Sequence, residues 1–94
     1  MDRSSIVLTA EQQFLVENSL EFVHWTIAKL IPKSSCHMEY DDLFQEGCVA
    51  LCHAAASYHG GTSFKTYAIT VIRNHLIDCC RKQISWRKYI SEQS

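Results

Sequence analysis

The 94-residue chain predicts an all-α protein, a compact bundle of three main helices with either a short fourth helix or the start of a linker at the C-terminus. Three observations lead there. Apolar residues recur at three- and four-residue spacing through three long runs, the period of a half-buried helix. The single Pro and a Gly60-Gly61 pair fall between those runs. Hydrophobic residues make up 47% of the chain, which suits a packed core rather than disorder, and the length is that of one small domain.

Each element has its own signals. Thr9-Ala10-Glu11-Gln12 matches a capping box, a Thr N-cap with Gln three residues on. It opens a run in which Val16, Leu20, Val23, Ile27 and Leu30 share a face, widened by Leu15, Phe22 and Ile31, so one long first helix is expected up to Pro32. Lys33 to Met38 read as a loop. A second helix is expected from about Tyr40 to Tyr58, with Asp41 and Asp42 at its N-terminus, where carboxylates favour the helix dipole. Leu43, Gly47, Ala50, Leu51, Ala54 and Tyr58 form its core side; Asp42, Gln45, Glu46 and Val49 lie opposite, flanked by Cys48 and Cys52. His59-Gly60-Gly61 stops it, and Thr62 or Ser63 caps the third helix, about Phe64 to Ile84. There Phe64, Ala68, Val71, Ile72, His75, Leu76 and Cys79 make the core stripe. The expected organisation is a tail over residues 1–9, a helical domain over 10–85 and a basic C-terminal segment over 86–94. No internal repeat or low-complexity tract occurs.

No apolar stretch is long enough to span a bilayer, since Glu21, His24 and Lys29 interrupt the longest. The first residues lack a signal-peptide pattern, so a soluble cytoplasmic domain with five reduced thiols is expected. Net charge is −1, but unevenly spread. Residues 1–60 carry three Lys/Arg against eight Asp/Glu, whereas residues 61–94 carry six against two. That polarity fits one half meeting a basic protein surface and the other meeting phosphates.

The side chains sharpen this. Asp42, Gln45 and Glu46 can accept charge-assisted hydrogen bonds from arginines of a partner helix. On the third helix, Tyr67, Thr70, Asn74, Ile77 and Arg81 form a second stripe, with Arg73 and Lys82 beside it. Tyr67 offers a ring for an unstacked base, Asn74 can pair with a base edge, and Arg73, Arg81, Lys82, Arg87 and Lys88 can neutralise phosphates. The plainer role for Tyr67 and Trp86 is partial burial against the domain.

Asp41-Asp42-Leu43-Phe44-Gln45-Glu46-Gly47, then Phe64-Lys65-Thr66-Tyr67-Ala68 and Ile72-Arg73-Asn74, resemble region 2 of bacterial RNA polymerase sigma factors over about residues 11–83. The resemblance implies that Asp42, Gln45 and Glu46 face the clamp helices of the polymerase beta-prime subunit. It implies that the nontemplate strand of the minus-ten promoter element meets Lys65, Tyr67, Thr70, Arg73, Asn74, Ile77, Arg81 and Lys82, with Asn74 at its upstream edge. An anti-sigma factor is a further partner it admits. Thr70-Val71 stand where primary sigma factors carry a Trp-Trp pair, so an alternative, non-primary factor is expected, with weaker autonomous melting. Ser91-Glu92-Gln93-Ser94 read as the start of a polar linker, which suggests one domain of a longer factor.

Rival functions come from other classes. Cys48 with Cys52, and His75 with Cys79, each sit one helical turn apart, and two such pairs on facing helices could hold zinc. His75 and Cys79 fall on a core stripe and Cys48 and Cys52 do not, so no metal and no cofactor is expected. No phosphate-binding glycine loop or paired-carboxylate arrangement appears, and Cys80 and His75 project to different sides of one helix, so no enzymatic activity is expected. The alternative is a helical protein-binding module, a polymerase-clamp decoy without promoter recognition.

Overall fold

Thr9 starts the first helix as its motif requires. Its side-chain oxygen accepts the Gln12 amide at 3.2 Å, and its own amide donates to the Gln12 side chain at 2.9 Å. The computed structural model describes residues 7–32 and 36–93, with side chains described as far as Lys82. Four helices follow in order: α1 (Ala10–Glu17), α2 (Leu20–Leu30), α3 (Tyr40–Ser57) and α4 (Phe64–Gln93).

The single first helix expected from the apolar spacing is in fact two. Asn18 and Ser19 break it. The Asn18 side-chain amide donates to the Phe14 carbonyl at 2.8 Å, the same carbonyl its backbone amide reaches at 3.0 Å. The next bond is shortened by a residue, the Ser19 amide reaching the Val16 carbonyl at 3.0 Å, and short polar residues such as Asn and Ser favour helix ends over interiors. The buried Ser19 then turns the chain, and α2 starts at Leu20. As a result α1 buries none of its residues fully and leaves Phe14 65% exposed, whereas α2 buries Val23, Thr26 and Ile27. Thr26 is an unexpected core residue; its hydroxyl is satisfied by donating to the Phe22 carbonyl at 2.6 Å.

The helix expected from about Tyr40 matches closely. Leu43, Gly47, Ala50, Leu51 and Ala54 are all buried, joined by Ala55, and Tyr58 is half-buried. Gly60 and Gly61 both take positive φ, +94° and +95°, a conformation that glycine reaches without strain. Of the two candidate caps, Ser63 serves: its hydroxyl oxygen accepts the Thr66 amide at 3.2 Å. The backbone of α4 continues to Gln93, so residues 86–93 extend this helix and are not a separate short one; the side chains of Trp86, Arg87 and Lys88 lie outside the described residues.

α3 and α4 form the principal pair, with α2 packed against both and α1 against α3. The two long helices run in opposite directions, since Ser57 meets Tyr67 near the connecting loop while Glu46 meets His75 further along. Leu51, Ile72, Leu76, Val23 and Thr26 fill the centre. On α4 the buried line is Ala68, Ile72, Leu76 and Cys80, with His75 and Cys79 half-buried at its edge. Cys80 is bonded to Cys36, the Cα atoms 5.2 Å apart. This corrects the expectation of five reduced thiols: the loop between α2 and α3 lays Cys36 against the core line of α4. Cys48, Cys52 and Cys79 remain as thiols.

Among the described residues there is no strand, and no helix is long and apolar enough to cross a membrane.

Candidate functional site

The first turns of α3 set out its polar surface. Asp42 and Gln45 are exposed, opposite the buried Leu43 and Gly47. Glu46 is placed differently. It turns toward α4, where its carboxylate lies 3.0 Å from Nε2 of His75, and its side chain is 18% exposed against 35% for His75. The Cys79 thiol lies beside both, 3.9 Å from the carboxylate and 3.7 Å from the imidazole. The acidic face expected from the helical wheel is therefore divided: Asp42 and Gln45 point to solvent, and Glu46 is held between helices.

The basic stripe of α4 is open over most of its length. Thr70, Arg73, Asn74, Arg81 and Lys82 are exposed and Ile77 is half-buried. Arg73 donates to the Asn74 side-chain carbonyl at 3.3 Å, and Lys82 pairs with Asp78 at 3.2 Å, one turn away. Both are surface interactions of the kind that contribute little to stability and leave the charge available. Arg73, Asn74, Ile77 and Arg81 of the stripe, with His75 and Asp78 beside them, line one shallow surface depression.

Tyr67 is anchored more firmly than the rest. Its ring packs on Tyr58 with centroids 5.7 Å apart, and Tyr58 also packs edge-on against Phe64. The Tyr67 hydroxyl is 2.8 Å from that of Ser57. Ser57 gives its own hydrogen to the His53 carbonyl at 2.8 Å, so Tyr67 is the donor of the pair. This hydrogen bond fixes the ring while leaving it half-exposed.

Lys65 points away from that stripe. Its ammonium stands over the Phe22 ring, 5.8 Å from the centroid. Phe22, Trp25, Ala28 and Lys29 of α2 join Lys65 and Ile69 of α4 around a groove of about 420 Å³. Trp25, which is 45% exposed, was not expected to matter from the sequence. The available signal was a tryptophan on the polar side of an amphipathic helix, opposite Val23 and Ile27.

Of the four residues considered for zinc, the structure joins His75 and Cys79 and leaves Cys48 and Cys52 apart from them on α3; Glu46 joins the first pair instead. Burial pushes the Cys48 thiol above the ordinary thiol range, with the neighbouring Cys52 adding to the effect, and burial does the same to Cys52.

The class is thus an all-helical domain that presents an exposed acidic and amide surface on α3 and an exposed basic strip on α4. The model of the sigma-70 region 2 family matches residues 15–85, and the chain belongs to that family. Neither the curated proteins nor the solved structures compared with the chain give a match. The family comprises transcription initiation factors, not enzymes, and membership assigns a sigma-factor-like role in RNA polymerase binding and promoter recognition.

Proposed function

We propose that this domain belongs to a cytoplasmic, non-primary sigma factor that docks through Asp42, Gln45 and Glu46 on the beta-prime clamp helices. In this reading the α4 strip takes the nontemplate strand of the minus-ten element. The observation that carries the reading is the pairing of two chemically opposite surfaces on adjacent helices. Asp42 and Gln45 stand in solvent on α3, and Thr70, Arg73, Asn74, Arg81 and Lys82 stand in solvent on α4. Asp42 and Gln45 make the primary contact with clamp arginines, with Glu46 at the edge. Tyr67, pre-set by Ser57 and Tyr58, supplies the stacking ring; Asn74 and Ile77 meet the upstream bases, and Arg73, Arg81 and Lys82 hold phosphates, while Lys65 is turned toward Phe22.

A polymerase-clamp decoy is the second reading. It is favoured by the same Tyr67–Ser57 hydrogen bond, which gives Tyr67 a purely structural use, and by Thr70-Val71 standing in place of paired rings. One experiment separates the two. With core polymerase present, the domain should retain a nontemplate minus-ten oligonucleotide in preference to a scrambled strand, and Tyr67→Ala should reduce that capture more than it reduces duplex binding. Equal retention of both strands would favour the decoy.

A further inference from the structure

A carboxylate, an imidazole and a thiol meet where α3 packs on α4, and their donor atoms close a small triangle. Its edges are 3.0 Å from Glu46 Oε1 to His75 Nε2, 3.7 Å from His75 Nε2 to Cys79 Sγ, and 3.9 Å from Cys79 Sγ to Glu46 Oε1. Zinc bonds of about 2.0–2.1 Å to nitrogen and oxygen and about 2.3 Å to sulfur put neighbouring corners of a tetrahedral site about 3.3–3.6 Å apart. Each observed edge is within about 0.4 Å of that requirement.

We propose that Glu46, His75 and Cys79 form a site for zinc or a divalent ion of similar softness, with three protein ligands and a solvent ligand. Two of the ligands come from one helix at a spacing of four, which puts them on the same face. The third comes from α3, so the set is held by the packed core around Leu51, Ile72 and Leu76, not by a loop. A mixed oxygen, nitrogen and sulfur set suits zinc and disfavours magnesium and calcium, which take oxygen ligands. Partial exposure of His75 and Glu46 leaves the ion a route in and room for the solvent ligand. Bound metal would clamp α3 to α4 and withdraw Glu46 from the docking set, leaving Asp42 and Gln45 as the polymerase-facing pair. The simpler account is a hydrogen-bonded carboxylate–imidazole pair with a thiol beside it, and that account carries no dependence on metal.

The test is titration of the full chain with Zn²⁺, and separately with Co²⁺, under anaerobic conditions without added thiol. The expected results are one ion per chain, a thiolate-to-cobalt charge-transfer band, and a Tm that rises with zinc concentration. Zinc should also protect Cys79, among the three cysteines outside the disulfide, from alkylation. Since changes outside the ligand sphere alone cost about 10–100-fold in affinity, Cys79→Ser and His75→Gln should each weaken binding by about tenfold or more. The double variant Cys48→Ala/Cys52→Ala should bind as the parent does. Circular dichroism checks that each variant is helical, and if Cys79→Ser fails to fold, mapping the zinc-protected cysteine in the parent decides. Absence of binding overturns the proposal, as does undiminished affinity in Cys79→Ser. Loss of binding confined to the Cys48→Ala/Cys52→Ala variant would put the ion on the α3 thiols and overturn it equally.

Discussion

Gly47 shows how a single residue couples sequence to packing. In a helix interior, glycine costs up to about 1 kcal/mol against alanine, so propensity alone predicts that Gly47→Ala stabilises. A Cβ there would stand 2.5 Å from Cγ1 of the fully buried Val23, well inside contact distance. Overpacking of this kind costs about 1–3 kcal/mol, and the clash should win. Urea unfolding of Gly47→Ala should show a net loss of up to about 2 kcal/mol; a gain would mean that α2 yields freely. The thiols of Cys48 and Cys52 give a second prediction. Their raised pKa values mean that the folded state holds these protons more tightly than the unfolded chain. That stabilising contribution is complete below the ordinary thiol range and is lost as pH climbs through the folded values. Unfolding measured from neutral to alkaline pH should therefore show a decline that Cys48→Ala/Cys52→Ala makes shallower.

Among the elements, the two helices that carry the proposed surfaces are ended and started by local chemistry. Gly60-Gly61 turn the chain and Ser63 caps α4. Ser63→Ala should cost about 1 kcal/mol in thermal or urea melts, and if it costs nothing then another group satisfies the Thr66 amide. The Cys36–Cys80 bond acts over a longer range, tying the α2–α3 loop to α4 across 44 residues of sequence. In the chain-entropy account, a closed loop of that length is worth about 4 kcal/mol, and measured bridges run about 2–4 kcal/mol. Comparing melts with and without reductant, and for Cys36→Ala, checks it: a shift of several degrees is expected in both. The break at Asn18-Ser19 shows where periodicity misleads. The apolar spacing runs unbroken from Val16 to Leu30, yet at Asn18-Ser19 the ladder stops, the Ser19 amide bonding the Val16 carbonyl three residues back, and α1 ends at Glu17.

At the scale of the whole molecule, binding to single-stranded DNA should be dominated by charge. Removing one phosphate-neutralising side chain lowers the steepness of the affinity–salt relation by about 0.7 logarithmic units per decade for a single strand. Replacing Arg73, Arg81 and Lys82 together by Ala should then reduce the slope by about 2 while the melting temperature changes little, because all three side chains are exposed. An unchanged slope would remove the α4 strip from the nucleic-acid interface. Docking is proposed for the other surface. Gln45→Ala should weaken binding to a beta-prime clamp-helix fragment without altering that salt slope, and a fragment affinity equal to the parent's would remove Gln45 from the interface.

The all-helical class, the limits of α3, the caps at Thr9 and Gly60-Gly61, and the core line from Leu43 to Ala54 follow from the sequence by itself, because each depends on neighbours within a turn or two. The motifs Asp41 to Gly47 and Phe64 to Ala68 likewise carry the family without any coordinates. What the tertiary structure alone decided are the contacts between residues far apart in the chain. It turned Glu46 from the expected acidic face toward His75, anchored Tyr67 on Ser57, joined Cys36 to Cys80, and opened the groove beside Trp25. A helical wheel places a side chain on a face within about 100°; it holds no information on which neighbouring helix that face meets. Glu46 sits at the boundary of its face, and there the packing partner decides.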